Sequence, residues 1–249
     1  MGFEFQPSDL MMLISVSLMI LAVRLLRIAS QTRGMPELMM GLYLLLSPPC
    51  TSLLMRVDRF APEYQRMLEI VATTGIGISS LFLCIFAWRV FRPNSTWARI
   101  PVVLYSAQFL WSFFMVSTGA IEVDDPTRAI TGRVTILLVY CWVFTECLLH
   151  HRMLARRLHL GLADPVVVNR FLLFAVWSGL LGVLPGITLL LAFVMNAGGT
   201  ADQMSSPLFT SVVRLTGILM YVSIWLSFLP PRAYTDWLKR RHVASGVEA

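Results

Sequence analysis

An arginine at position 214 lies inside an apolar run that extends from Pro207 to Leu229. A guanidinium at membrane depth is costly, so such residues turn toward a bundle interior or a wet cavity, where they meet a counter-charge or an anionic ligand. Helix beginning at Pro207 and rising 1.5 Å per residue puts the Arg214 Cα roughly 10 Å beneath the apolar boundary. Ser211, Gly217, Tyr221 and Trp225 recur at spacings of three and four and share its helical face. A second polar stripe, Glu69, Thr73, Gly77, Ser80 and Cys84, has the same periodicity, and a third comprises Tyr105, Gln108, Ser112 and Met115.

Together the stripes predict a polar cavity opening outward, with Arg214, Glu69, Thr73, Tyr105, Gln108 and Tyr221 as its ligand-binding set. Three arrangements suit Arg214: an ion pair with Glu69 that fixes helix register, contact with an anionic ligand, or snorkelling to a lipid headgroup. A second constellation is Glu146 with His150, four residues apart on one helical face near the inner end of its segment. A carboxylate and an imidazole so placed can share a metal or pass a proton. Two ligands make no metal centre, and Arg89 or Arg92 offers a neutralising charge, so the pair reads as a polar contact at the cytoplasmic rim. No metal and no cofactor is expected.

Enzyme chemistry is excluded motif by motif. The chain has no GxSxG, no HExxH, no His or Asp cluster within its apolar segments and no paired histidines there for haem. The expectation is a non-enzymatic protein.

The segments that must position these residues are legible from composition and hydropathy. The chain is 57% hydrophobic and 14% charged, with a mean hydropathy of +0.71, outside the range in which a soluble fold hides its apolar surface. Seven stretches approach the roughly 20 residues needed to cross a 30 Å hydrocarbon core. They run over about 9–28, 36–55, 67–91, 100–121, 133–151, 166–195 and 207–229, within a single membrane domain covering 1–249. The sequence thus predicts an all-α, polytopic seven-helix bundle. Its first helix is expected to be retained, because the residues before it carry no positive charge and no small-x-small site follows.

Lysine and arginine are retained on the cytoplasmic side. Arg27 and Arg33, then Arg89, Arg92 and Arg99, then Arg152, Arg156, Arg157 and Arg170, then Arg232, Lys239, Arg240 and Arg241 fall on one side. On the other, Arg56, Arg59, Arg66, Arg128 and Arg133 are offset by Asp58, Glu63, Glu122, Asp124 and Asp125. This predicts an outside N-terminus and a cytoplasmic C-terminus. The net charge of +6 is then a collar facing anionic headgroups and implies no nucleic acid. The basic tail, 232–249, is expected to form a short interfacial helix with Trp237 and Leu238 at the headgroup boundary.

Seven spans with an outside N-terminus resemble the layout of microbial rhodopsins and of G-protein-coupled receptors. The resemblance is of topology and implies no functional residue. A retinal Schiff base needs a lysine in the seventh helix, and the single lysine, Lys239, lies beyond it; Trp88-Arg89-Val90 is no Asp-Arg-Tyr triplet, and Leu229-Pro230-Pro231 ends that helix without Asn-Pro-x-x-Tyr.

Pro48, Pro49 and Pro185 fall mid-span, where proline removes a helical hydrogen bond and creates either a kink or a hinge. Gly182 and Gly186, with Gly179 one turn earlier, predict close approach of a neighbouring helix. Cys50, Cys84, Cys141 and Cys147 all lie within spans, so no disulfide framework is expected. Two functions fit: a sensor or accessory subunit that binds a small or lipid-like ligand in its outer half and meets a protein partner at its basic inner face, or a small-solute transporter hinged at the prolines around Arg214. Compact loops point to a bacterial cytoplasmic membrane.

Overall fold

The computed structural model describes residues 7–54, 56–57, 60–120, 126–194 and 207–244. The described chain is all-helical: α1 (Pro7–Thr32), α2 (Met35–Leu54), α3 (Pro62–Phe91), α4 (Arg99–Ser117), α5 (Pro126–His159), α6 (Pro165–Val194), α7 (Pro207–Phe228) and α8 (Arg232–Ala244). Among the described residues, six helices are long and apolar enough to cross a membrane, from Met12–Thr32 in α1 to Pro165–Leu190 in α6. In α7 the apolar stretch of described residues is the shorter Leu215–Phe228.

Helix ends follow local chemistry. Proline occupies the first helical position of α3, α5, α6 and α7, where its missing N–H costs nothing and its fixed φ suits the helix. Asp164 caps α6, its Oδ1 accepting the Val166 N–H at 2.8 Å. The α5–α6 turn closes as a Schellman motif: Leu162 N–H donates to the Arg157 carbonyl at 2.9 Å and Gly161 N–H to that of Leu158 at 3.0 Å. Gly161 has φ +69°, the left-handed conformation that favours glycine there. The two-residue α1–α2 connection instead places Arg33 at φ 53°.

Several helices outrun the expected spans. The third starts at Pro62 rather than near residue 67, and the fifth covers 34 residues from Pro126 to His159. Charged ends explain this: a helix need not stop where the apolar window does. The C-terminal extension of α5 carries Arg152, Arg156 and Arg157, which suit a helix C-terminus.

The chain packs as two compact units, Met1–Thr135 and Ile136–Ala249, divided within α5. In the first, α1 to α4 pack each on the next. Its core is Leu21, Ala22 and Leu25 from α1, Met40, Tyr43 and Leu44 from α2, and Ala72, Leu83, Cys84 and Ala87 from α3. Small residues set the spacing: a Cβ on Gly41 would come within 2.9 Å of Leu26, and one on Gly75 would run into the Cys50 sulfur.

In the second unit α6 packs on α7 and α8. Trp177, Phe174, Ser178, Val143, Cys147 and Ile224 are buried. Gly179 meets α5 closely, a Cβ there lying 3.0 Å from the Phe144 ring, whereas Cβ atoms on Gly182 and Gly186 would sit 3.5 and 3.9 Å from Leu137, ordinary contact distances. The tight position is therefore Gly179, one turn before the GxxxG pair that the spacing singles out. The tail helix α8 is present over Arg232–Ala244 and docks on α6 through Asn169 Nδ2, which donates to the Tyr234 hydroxyl at 2.7 Å.

Candidate polar site and basic rim

Polar side chains within apolar helices first satisfy themselves on their own backbone, and α3 does so repeatedly. Thr73 donates its hydroxyl to the Glu69 carbonyl, and Ser79 and Ser80 donate to that of Ile76 at 2.7 and 3.0 Å. Such bonds to the preceding turn cost no neighbour and leave the acceptor lone pairs of the hydroxyl available.

Thr73 and Thr74 then face Ser112 across a recess between α3 and α4, closed by Ile70, Phe109, Phe113 and Val116. Its volume is about 40 Å³. That admits a water or a few, since one water needs about 10–15 Å³, and is far below the roughly 300–1,000 Å³ of sites for drug-sized ligands.

Tyr105 lies deeper and is only 4% exposed. Its phenol donates to the Gly77 carbonyl at 3.1 Å and has the Ser80 side chain as a second partner. Phe109, one turn further along α4, occupies the space that a Cβ on Gly77 would take. Glycine at 77 thus lets α4 approach until its tyrosine reaches the α3 backbone. Glu69 and Gln108 are half-buried and lie outside the residues that line the recess.

Of the six residues expected to form one ligand set, Glu69, Thr73, Tyr105 and Gln108 belong to the first unit and Arg214 and Tyr221 to the second. Only Thr73 lines the recess. Tyr221 is half-buried and packs against Trp225 with ring centroids 6.1 Å apart. The backbone of Arg214 lies in α7, and its side chain falls outside the described residues.

In the second half of α5, Glu146 is 3% exposed. His150 directs Nδ1 at the Glu146 backbone carbonyl, 3.0 Å away, and stacks on Phe171 of α6 with centroids 5.8 Å apart. An Nδ1 facing a carbonyl must carry the proton. His151 does likewise toward the Val168 carbonyl at 3.0 Å, joining α5 to α6. Among the described residues, no group of three or more His, Cys, Asp and Glu is placed to hold a metal ion.

The proline sites are helical throughout. In α2, Ser15 of α1 donates to the Pro48 carbonyl at 3.2 Å and its hydroxyl meets that of Ser52 at 2.5 Å, while Thr51 bonds the Ser47 carbonyl at 2.8 Å. In α6, Thr188 bonds the Pro185 carbonyl at 3.0 Å. These hydroxyls lie beside the prolines but on carbonyls other than those of Leu44, Leu45 and Leu181, which are the ones that proline deprives of a helical donor.

No family model, no curated protein and no solved structure matches this chain. The site must therefore be read from its own chemistry, as an integral-membrane helical protein.

A further cluster lies outside the polar stripes. At the α3–α4 turn the Arg89 guanidinium carbon lies 4.5 Å and that of Arg99 5.5 Å from the centre of the Trp88 ring, and that of Arg92 lies 5.8 Å from the Trp97 ring. The signal was in the sequence, as Trp88-Arg89, Arg92 and Trp97-Ala98-Arg99 within a stretch free of acidic residues. Charge places these arginines at one end of the helices, and only the fold sets them on indoles.

Proposed function

We propose that the chain is a seven-span, non-enzymatic protein of a bacterial cytoplasmic membrane, with its N-terminus outside and C-terminus inside, working as a sensor or accessory subunit. The observation that carries this reading is the contrast between the two ends of the α3–α4 pair. One end has a recess of about 40 Å³ walled by threonine, serine and phenylalanine, and the other a rim of arginines on tryptophans. A recess of that size suits recognition of a small polar group better than passage of a solute. The basic inner rim and α8 supply a face for the bilayer and for a cytoplasmic protein partner.

The second reading is a small-solute transporter with Arg214 at the substrate site and Pro48, Pro49 and Pro185 as joints. Its support is that three prolines lie within helical spans, where each removes a backbone hydrogen bond. Against it stands the tie from Ser15 to Pro48 and Ser52, which pins α1 to the α2 break.

A thermal-shift screen of purified protein in detergent, wild type beside Arg214→Ala, separates the two. Small anions, metabolites and lipids form the panel, since a ligand that binds the native state selectively raises apparent stability. A compound that stabilises wild type and not the folded variant assigns Arg214 to a binding site, and uptake of that compound into proteoliposomes then decides for transport. A destabilised variant with no compound shifting wild type makes Arg214 structural and removes the ligand site from both readings.

A further inference from the structure

We propose that the α3–α4 turn is a binding site for the headgroup of one anionic phospholipid, with Arg89 and Arg99 holding the phosphate and Trp97 lying at the boundary with the acyl chains. The proposal rests only on the chain being embedded in a bilayer and stands whether the protein senses or transports.

The first observation is that two cations share one ring. Arg89 and Arg99 leave from different helices, yet both guanidinium carbons lie within 5.5 Å of the Trp88 centroid. The ring quadrupole offsets part of the cost of gathering two cations at one site, and a bound anion would offset more of it. A guanidinium engaged by an aromatic face keeps its N–H edge for oxygen, and that edge matches two phosphate oxygens at once. Both arginines are exposed, so the edge is reachable.

The second observation is local charge. Between Ile70 and Ile121 the chain carries Arg89, Arg92 and Arg99 and no aspartate or glutamate. At the same end of this unit the second half of α1 carries Arg24 and Arg27 and the α1–α2 connection carries Arg33, against the single carboxylate of Glu37 in the first turn of α2.

The third is that side chains, rather than a helix terminus, present the donors. The Arg99 and Ile100 amides are already bonded to the Thr96 and Trp97 carbonyls at 3.1 and 3.0 Å, and residue 101 is proline, which has no amide hydrogen. Bonds from Arg92 to Trp88 and from Ser95 to Arg92, at 3.0 and 3.1 Å, hold the turn in shape. The platform is thereby formed in advance of its ligand.

The fourth selects a lipid over a free anion. Directly after the arginine, Ile100, Val103 and Leu104 are 57%, 63% and 64% exposed at spacings of three and four on one face of α4, an apolar track beside the cationic platform. Trp97 is 48% exposed at its head, where indoles concentrate at the interface between headgroup and chain. A phosphate carrying two acyl tails fits both features, and inorganic phosphate fits only the first.

The test is the apparent melting temperature of the full chain in detergent, titrated with dioctanoyl phosphatidylglycerol, dioctanoyl phosphatidylcholine or inorganic phosphate. The variants are Arg89→Gln/Arg99→Gln and, as an equal loss of charge elsewhere, Arg240→Gln/Arg241→Gln. Phosphatidylglycerol is expected to stabilise wild type in preference to the other two additives. The concentration for half the shift should rise at least about tenfold in the first variant, the scale of one lost charge-assisted pair, and stay unchanged in the second. Equal response to phosphatidylcholine overturns the proposal, as does equal weakening of both variants, which would mean diffuse attraction. A matching response to inorganic phosphate overturns the assignment to lipid. Where the glutamine pair does not purify as folded protein, Arg89→Lys/Arg99→Lys replaces it, retaining charge without the planar fork, and unchanged affinity there overturns the proposal too. Wild type released from nanodiscs of equal phosphatidylglycerol and phosphatidylcholine into a mass spectrometer should retain the former, and equal retention overturns the site without any variant.

Discussion

Tyr105 belongs to one of the polar stripes that the sequence brings together, and both of its partners, Gly77 and Ser80, belong to another. A phenol within an apolar span must find a partner, and the periodicity of α4 placed it on the same stripe as Gln108 and Ser112. What satisfies it is the carbonyl of Gly77, on a helix 28 residues earlier, and no local pattern encodes that pairing. The bond contributes to the α3–α4 contact and takes up the donor that a ligand would otherwise use. Tyr105→Phe is therefore expected to cost about 1 kcal/mol of stability, the usual net value of one hydrogen bond, and Tyr105→Ala about 3 kcal/mol or more through the cavity left behind. Thermal unfolding in detergent measures both, and ligand responses should survive the phenylalanine change. Phenylalanine as stable as wild type would show that the Gly77 bond contributes nothing. The same limit applies to Glu146 and His150: their shared face was legible, whereas the turn of the imidazole onto a backbone carbonyl 3.0 Å away was not.

Helices were the most legible level, because length, hydropathy and proline punctuation all act within a few residues of chain. Proline at the start of α3, α5, α6 and α7, Asp164 before α6 and Gly161 after α5 are local devices, and the structure uses each of them. Helix ends were less legible where polar turns continue beyond the apolar window, as at Pro62 and at His159. Interhelical distance was legible only as far as the glycine cluster of α6, and not to the residue. GxxxG spacing drew attention to Gly182 and Gly186, yet the Phe144 ring stands closest to Gly179, because a contact depends on the partner's side chain as much as on the missing Cβ. Gly179→Ala should cost about 1–2 kcal/mol, since the added methyl must displace a packed ring. Gly182→Ala and Gly186→Ala meet only ordinary contact and should be neutral or slightly stabilising, alanine being the better helix former by about 1 kcal/mol. Unfolding temperatures of the three variants in one detergent give the ranking, and a Gly182 variant less stable than the Gly179 variant would contradict it.

For the molecule as a whole, orientation rests on where arginine sits along the chain, and the structure adds a physical reason for one part of that distribution. Arg89, Arg92 and Arg99 are gathered on indoles at the α3–α4 turn, an arrangement suited to the headgroup layer, while the opposite end of the first unit mixes Arg56 and Arg66 with Glu63 and Glu69. Lysine and arginine near short loops resist translocation, whereas acidic residues contribute little to orientation. The α3–α4 turn is therefore expected inside and the start of α3 outside. Asn94→Cys and Glu63→Cys test this directly, both positions being exposed. In a background with Cys50, Cys84, Cys141 and Cys147 replaced by alanine, a membrane-impermeant maleimide added to intact cells should label residue 63 and leave residue 94 unlabelled until the cells are opened. Green fluorescent protein fused after residue 249 should fluoresce, as it does when it folds in the cytoplasm. The labels and the fusion test different things: the first fixes the direction of α3, and the second fixes the number of crossings that follow it. Labelling as expected with a dark fusion would mean an odd change in the span count, and the segment to reassign would be α7, where Arg214 interrupts the apolar run. Reversed labelling with a dark fusion would invert the whole chain and move the arginine platform to the outer leaflet, where it would meet a different set of lipids.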